Sequence, residues 1–305
     1  MKSLKNIAAS VHQRLLNLAR QSGRPFNELA QYYALERWLY RLSQSDYRNQ
    51  FVLKGALMLL VWKMSVTRPT RDIDLLGRAS NDLASIRNII ATICQICADE
   101  DGMFFNHESV TTERIAEDAD YEGVRAKFSA TLGNTRLPMQ IDIGFSDIVT
   151  PEPSVIVYPA MLGHFAPELC AYNRETVIAE KFETMVKLGD LNSRMKDFFD
   201  IWALARAGRF RGLEFSQAIE QTFSRRGTAL IADPICFTEA FATNLGKSTQ
   251  WAAFLRRNAF ADVPDTFSDV VNFIAGFLRP IAISSVEKPS LNSVWEAGGP
   301  WRSGE

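Results

Sequence analysis

The chain is short of the residues on which several kinds of site depend. Its 305 residues include four cysteines and three histidines. His12, His107 and His164 are scattered, and only Cys94 and Cys97 stand close together. A C-x-x-C is a redox pair or half of a zinc site, and no second one exists to complete the latter. Residues 83–98 carry helical periodicity through Leu83, Ile86, Ile89, Ile90, Ile93 and Cys97, so the expectation is small buried thiols on a core helix. Charge of one sign is also lacking. Lys+Arg number 34 against Asp+Glu 35, a net charge of -1, which excludes a global basic footprint; a nucleic-acid partner would have to be met by a local patch. Long apolar runs are missing as well. The longest, Ala56 to Trp62, is far too short to span a bilayer, and His12 and Arg14 break up any apolar signal region after Lys2 and Lys5. A cytoplasmic protein with no membrane partner is expected.

What is present is ordinary globular material. Hydrophobic residues at 47% and charged residues at 23% exclude whole-chain disorder, collagen and coiled-coil rods. The length fits one large or two modest domains. Leu4, Ile7, Ala8, Val11, Leu15, Leu16 and Ala19 make one helical stripe, closed by Ser22-Gly23-Arg24-Pro25, and a second helix follows through Leu29, Tyr32, Leu35, Leu39 and Leu42. Phe51-Val52-Leu53 leads into Lys54-Gly55-Ala56 and a helix expected to reach about Met64. Thr67-Arg68-Pro69-Thr70 is a loop, because the residue before a proline disfavours helix. Arg71-Asp72-Ile73-Asp74-Leu75-Leu76 alternates and predicts a strand. Residues 99–122 are acid-rich and expected to be irregular. Residues 121–132 and 137–145 alternate on either side of Gly133-Asn134, the clearest hairpin in the chain. Beyond Pro167 the pattern predicts helices at 174–188, 193–207, 214–224, 234–242, 248–257 and 265–277, and a Ser-, Pro- and Gly-rich tail.

A strand sends residues i and i+2 to one side, so Asp72 and Asp74 point together while Ile73 and Leu75 point into the opposite layer. Two like charges side by side repel, and either cations from elsewhere or a metal must neutralise them. Asp142 lies on a second strand between Ile141 and Ile143, again opposite the apolar set. Should these strands neighbour each other, three carboxylates converge in an oxygen-only site suited to Mg²⁺. A bare D-x-D is more often a solvated strand face. Gly55 adds weight: with no side chain, it lets phosphate oxygens approach backbone N–H groups at a positive helix end, with Lys54 beside it.

This combination resembles the DNA polymerase β-like nucleotidyltransferase superfamily and, more narrowly, the AbiEii/AbiGii toxin family. The residues that carry the likeness are Phe51-Val52-Leu53-Lys54-Gly55-Ala56-Leu57, Arg68-Pro69-Thr70-Arg71-Asp72-Ile73-Asp74-Leu75, and the 175–204 segment with Glu180-Lys181, Lys187, Arg194 and Lys196-Asp197-Phe198-Phe199-Asp200-Ile201-Trp202. Where the superfamily usually has Gly or Ser after the turn glycine, this chain has Ala56. The resemblance implies an α+β fold: a nucleotidyltransferase core of mixed sheet and flanking helices, with N-terminal helices and a C-terminal helical region. The expected division is a core over 1–165, a helical domain over 166–285 that completes the active-site cleft, and a loosely ordered tail over 286–305.

The implied activity is transfer of a nucleoside monophosphate from an NTP to an acceptor, with tRNA the expected acceptor, by a toxin of a bacterial toxin–antitoxin or phage-defence pair. Asp72, Asp74 and Asp142 would hold two Mg²⁺ ions, and Asp142 would accept the acceptor's proton. Lys54, Gly55, Ala56, Arg71, Lys181 and Lys187 form the expected nucleotide-binding set. Lys181 would offset charge as pyrophosphate leaves, against the alternative of a snorkelling side chain. Asp200, followed by apolar Ile201-Trp202, is preferred over Asp197 as the further essential acid, although both could simply form ion pairs with Lys181 or Arg194. A cognate antitoxin encoded nearby is the expected protein partner. The alternatives are the same site acting on a small molecule or a protein hydroxyl, and an inactive binding module of the same fold.

Overall fold

Local sequence sets the opening elements. In a computed structural model describing residues 4–64, 68–78, 80–98, 100–118, 121–258, 260, 262–287 and 291–304, α1 (Leu4–Ser22) and α2 (Phe26–Ser43) flank the Gly23 break, where φ is 69°. Lys2, Thr67 of the proline loop, and parts of the acid-rich segment and of the tail (99, 119–120, 288–290 and 305) lie outside the described residues. The chain divides into two units. The first holds Met1–Lys63, Pro69–Ser146 and Ser154–Ala171; the second holds Met64–Arg68, Asp147–Pro153 and Tyr172–Glu305. This differs from one cut near residue 165, because the chain makes two short excursions into the second unit, and the strands after the second excursion return to the first unit's sheet.

In the first unit, β1 (Phe51–Lys54) passes through a tight 3-10 turn, Gly55–Leu57, into α3 (Met58–Val61). That helix stops short of Met64, with Lys63 at a positive φ of 51°. Then follow β2 (Asp72–Gly77), α4 (Leu83–Cys94), β3 (Met103–Asp118), β4 (Tyr121–Leu132), β5 (Thr135–Gly144), β6 (Ser154–Val157) and β7 (Glu168–Ala171). They form one mixed sheet in the order β3-β4-β5-β2-β1-β7-β6. The Asp82 carboxylate caps α4 by accepting from the Ser85 N–H at 2.8 Å. Ile86, Ile90, Ile93 and Cys94 are buried, but Cys97 lies past the helix end and is exposed, so the expectation of two core thiols holds for one only.

The irregular stretch expected over 99–122 is instead largely a sixteen-residue strand, β3. Its pairing with β4 shifts register between Asn106 and Thr111. Met103 and Phe105 are buried before the shift and Val110 within it, so the inward parity changes and the alternation is lost to a sequence reading. β6 and β7, four residues each, are too short to show a period. The core lies on one face of the sheet. Ile73 and Leu75 of β2, Ile141 and Ile143 of β5, and Val124 and Ala126 of β4 are completely buried in one cluster with α2 and α4 residues. Burial of each large aliphatic side chain contributes roughly 1.5–3 kcal/mol.

The second unit is mostly helical: α5 (Arg174–Leu188), α6 (Met195–Ala207), β8 (Phe210–Arg211), α7 (Gly212–Arg226), α8 (Glu239–Ala242), α9 (Leu245–Asn258), α10 (Phe267–Glu287), β9 (Ser293–Trp295) and β10 (Trp301–Ser303). Asn173 caps α5, accepting from the Thr176 N–H at 2.7 Å. α10 does not stop near 277 but runs on through Pro280, with Ile281 and Ala282 fully buried beyond it; tertiary packing here outweighs the proline's local penalty. Among the described residues α10 is the one helix long and apolar enough to cross a membrane by length and composition, and half of that stretch is buried within the protein.

The expectation of a loose tail fails for 291–304. β9 and β10 pair with each other and with β8 in a three-stranded sheet. Trp295 donates its indole N–H to the Ala205 carbonyl at 2.7 Å, and Trp301 donates to the Phe277 carbonyl at 2.9 Å while stacking on the Phe277 ring. Two large aromatics anchor a segment whose Ser-, Pro- and Gly-rich composition alone predicts little order.

Candidate active site

Strand register brings the acids of the first unit together. β2 and β5 run parallel with Asp72 opposite Gln140 and Asp74 opposite Asp142. Neighbouring strands lie about 4.8 Å apart, and directly opposed residues project to the same face. Asp72, Asp74 and Asp142 therefore share the face opposite Ile73, Leu75, Ile141 and Ile143, and all three are half-buried. β1 closes the other side, with Lys54 opposite Asp74. Lys54 is itself buried, at 8% exposure.

Gly55 continues from that pairing. It has φ of 76°, and a Cβ added there would lie 1.9 Å from Asp74 Oδ2 and 2.7 Å from its Cγ. The carboxylate of Asp74 thus rests directly against the Gly55 backbone, in space that any other residue would fill. Ala56, the departure from the superfamily pattern, is buried in the 3-10 turn.

A second cation comes from the hairpin. Arg125 of β4 stands opposite Asp142 in register. Its Nε donates to Asp142 Oδ1 at 2.8 Å and its Nη2 to Asp142 Oδ2 at 2.7 Å, a bidentate pair. Gln140 Nε2 adds a contact of 3.3 Å to the same Oδ2. The hydrogen bond to Asp142 holds the Arg125 guanidinium further toward its charged form, and the field of Asp72 adds to it.

A hard divalent cation fits the donor chemistry of this face, which is carboxylate oxygen throughout. Asp72 and Asp74 fit as ligands. Asp142 is on the correct face, but Arg125 engages both of its oxygens. Among the described residues no group of three His, Cys, Asp or Glu side chains is gathered closely enough to hold a metal.

The second unit holds a separate ion-pair network. Lys181 on α5 lies 2.7 Å from Asp197 Oδ1 and 2.9 Å from Asp200 Oδ2, both one turn apart on α6. Arg194 Nε donates to Asp197 Oδ2 at 2.6 Å, and Arg68 makes a two-pronged contact to Asp200 with Nε and Nη2 each at 3.0 Å. The aspartate side chains are 1% and 3% exposed, and Lys181 is 16% exposed. Burial alone would push the Asp197 carboxyl up; Lys181 and Arg194 outweigh it and hold it down to about 2. Asp200 is lowered in the same way, against its burial, by Arg68 and Lys181. Burial disfavours the Lys181 ammonium, and the two aspartates overcome this and raise its pKa. The ion pairs weighed for Asp197 and Asp200 from sequence are thus present, and Lys181 does not snorkel to water.

Two expected nucleotide-binding residues lie at the surface. Arg71 is exposed, and its carbonyl lies 3.5 Å from Gln31 Nε2; Lys187 is exposed near the end of α5. Sequence reasoning passed over Arg125, although a signal existed. A two-residue turn at Gly133-Asn134 pairs Leu132 with Thr135, and counting back pairs Arg125 with Asp142.

Residues 37–272 match the family model described as the nucleotidyl transferase AbiEii toxin of type IV toxin–antitoxin systems. The chain belongs to the AbiEii toxin family. The α+β core with its central mixed sheet is accordingly polymerase β-like, and this AbiEii protein is a toxin-type nucleotidyltransferase, an enzyme whose substrate is an NTP and whose partner, in general terms, is an antitoxin. Two solved structures are similar to it. JHP933 from Helicobacter pylori is 12% identical, with a TM-score of 0.44 over 83% of this chain and 90% of that one. The "putative nucleotidyltransferase from H. pylori" is also 12% identical, with a TM-score of 0.47 over 86% of this chain and 97% of that one. No curated protein matches this AbiEii chain.

Proposed function

We propose that this AbiEii protein uses Asp72, Asp74 and Asp142 with Mg²⁺ to transfer a nucleoside monophosphate from an NTP to the acceptor end of tRNA in the cytoplasm. The observation that carries the reading is the register of β2 and β5, which sets Asp74 beside Asp142 with Asp72 on the same face and the Gly55 backbone against Asp74. When bound, the divalent cation supplies charge neutralisation for the phosphoryl oxygens and acidifies the attacking hydroxyl. Asp72 and Asp74 are the residues that would hold it, joined by Asp142 once its oxygens are released.

The chain's own groups account for the rest. The missing side chain at Gly55 makes room for the Asp74 carboxylate and so holds that acid against the turn whose backbone N–H groups would meet the phosphates. Lys54, buried opposite Asp74, adds a positive charge at the same place. Asp142 would take the acceptor's proton. For Lys181 and Asp200 the family resemblance supports a direct part in catalysis, and their ion pairs with Asp197 and Arg68 support a second part in fixing α5 against α6.

The test is incorporation of label from each of four α-labelled NTPs into total tRNA in the presence of Mg²⁺. Transfer lost in Asp72→Ala and Asp74→Ala, together with loss of growth inhibition, is the expected result. Label that resists ribonuclease and yields to protease would overturn the tRNA assignment. Wild-type toxicity in both aspartate variants would overturn the site.

A further inference from the structure

The Arg125–Asp142 pair has no place in the mechanism above, yet it lies within the acids' row. Arg125 reaches across from β4 and occupies both oxygens of the one carboxylate that stands in register with Asp74. Gln140, opposite Asp72 on the neighbouring strand, holds the same carboxylate from its flank at 3.3 Å. The guanidinium is about one-third exposed and Asp142 is 13% exposed, so the pair sits at the solvent margin and can open without unpacking the core. Ion pairs of this geometry are charge-assisted and directional, and with Arg125 on both oxygens and Gln140 on Oδ2 as well, Asp142 keeps about one of its roughly four lone pairs for a metal.

We infer that Arg125 is the internal counter-cation of Asp142 within the carboxylate row, and that it and the divalent cation compete for Asp142. The inference rests on the assignment of Asp72, Asp74 and Asp142 to the site. Without a metal, like charges on adjacent strands need neutralising groups: Lys54 stands opposite Asp74, and Arg125 is the cation that the hairpin register delivers to Asp142. A divalent cation taking more than that one lone pair would draw Asp142 away from Arg125 and release the guanidinium on the same open face. Arg125 is therefore a positioning residue: it sets how tightly the site takes its metal, and it does so through Asp142.

Direct binding of Mn²⁺ without nucleotide, followed by calorimetry and by the electron paramagnetic signal of the free ion, separates the site assignment from the competition for Asp142. Loss of Mn²⁺ binding in Asp74→Asn is expected; unchanged binding there would sink the site assignment itself. Given that loss, Arg125→Gln removes the competitor and should tighten Mn²⁺ binding on the order of tenfold. Unchanged or weaker binding in Arg125→Gln would overturn the inference, because a residue that merely holds the hairpin together can only loosen the site. The wild-type protein gives an independent reading that does not depend on how a variant folds. Addition of Mg²⁺ should move the Arg125 Nε–H resonance and accelerate its exchange with water. An Nε–H that stays protected at saturating Mg²⁺ would equally refute the competition.

Discussion

Gly55→Ala probes the closest contact at the site. The new Cβ would meet Asp74 Oδ2 at 1.9 Å, Cγ at 2.7 Å and Cβ at 2.8 Å. Two penalties arise. An L-residue at φ of 76° costs about 1–2 kcal/mol. Driving the Asp74 side chain off its rotamer adds about 0.5–1.5 kcal/mol. Together they amount to about 2–3 kcal/mol, less than the stability of an ordinary domain, so the protein should remain folded with a midpoint lowered by about 4–10 °C. Transfer activity should fall at least about a hundredfold, because displacement of a catalytic group by an ångström is that costly. A double-mutant cycle with Asp74→Gly isolates the clash. In that background all three Asp74 atoms are gone and only the backbone penalty remains, so Gly55→Ala should cost about 1 kcal/mol less than in the wild type. Equal destabilisation in both backgrounds, measured by thermal or urea unfolding, would refute the claim that Asp74 rests against Gly55.

The second unit offers two further predictions. Lys181→Met strips the shared cation from two buried aspartates and should destabilise by about 3 kcal/mol at neutral pH, although Arg194 and Arg68 remain. The sign with pH follows from a carboxyl lowered from its ordinary 3.8 to about 2: the Asp197 contribution is complete above 3.8 and fades as the pH falls toward 2. The gap in stability between wild type and Lys181→Met should therefore be flat above about pH 5 and close below about pH 4; a gap that widens in acid would contradict the assignment. Trp295→Ala removes a buried indole and its 2.7 Å hydrogen bond to Ala205, and should cost about 3–5 kcal/mol in thermal unfolding. An unchanged midpoint would restore the view of the tail as a loose appendage.

Much of the candidate site was legible from spacing. The i, i+2 rule places Asp72 and Asp74 on one side of a strand and needs no neighbours to do so. Alternation on either side of Gly133-Asn134 fixes the hairpin and puts Asp142 opposite the apolar face. What spacing could not supply was adjacency: β2 and β5 are separated by some sixty residues of sequence, and nothing local says that they pair in parallel. β3 was obscured because a register shift destroys the alternation on which a strand reading depends. The continuation of α10 past Pro280 was hidden for the converse reason, a strong local signal overruled by burial on either side of it.

The sequence by itself determined most of the helices and the β4–β5 hairpin, the face on which each acid stands and, through the length of one turn, the pairing of Arg125 with Asp142. These follow from backbone period and turn geometry, which are properties of a few consecutive residues. Only tertiary structure decided that Asp74 meets Asp142, that its carboxylate rests on Gly55, and that Lys181 is shared by two aspartates on another helix. Those contacts join segments distant in the chain, and their energies depend on burial and on the partners that packing brings within reach, which no local pattern encodes.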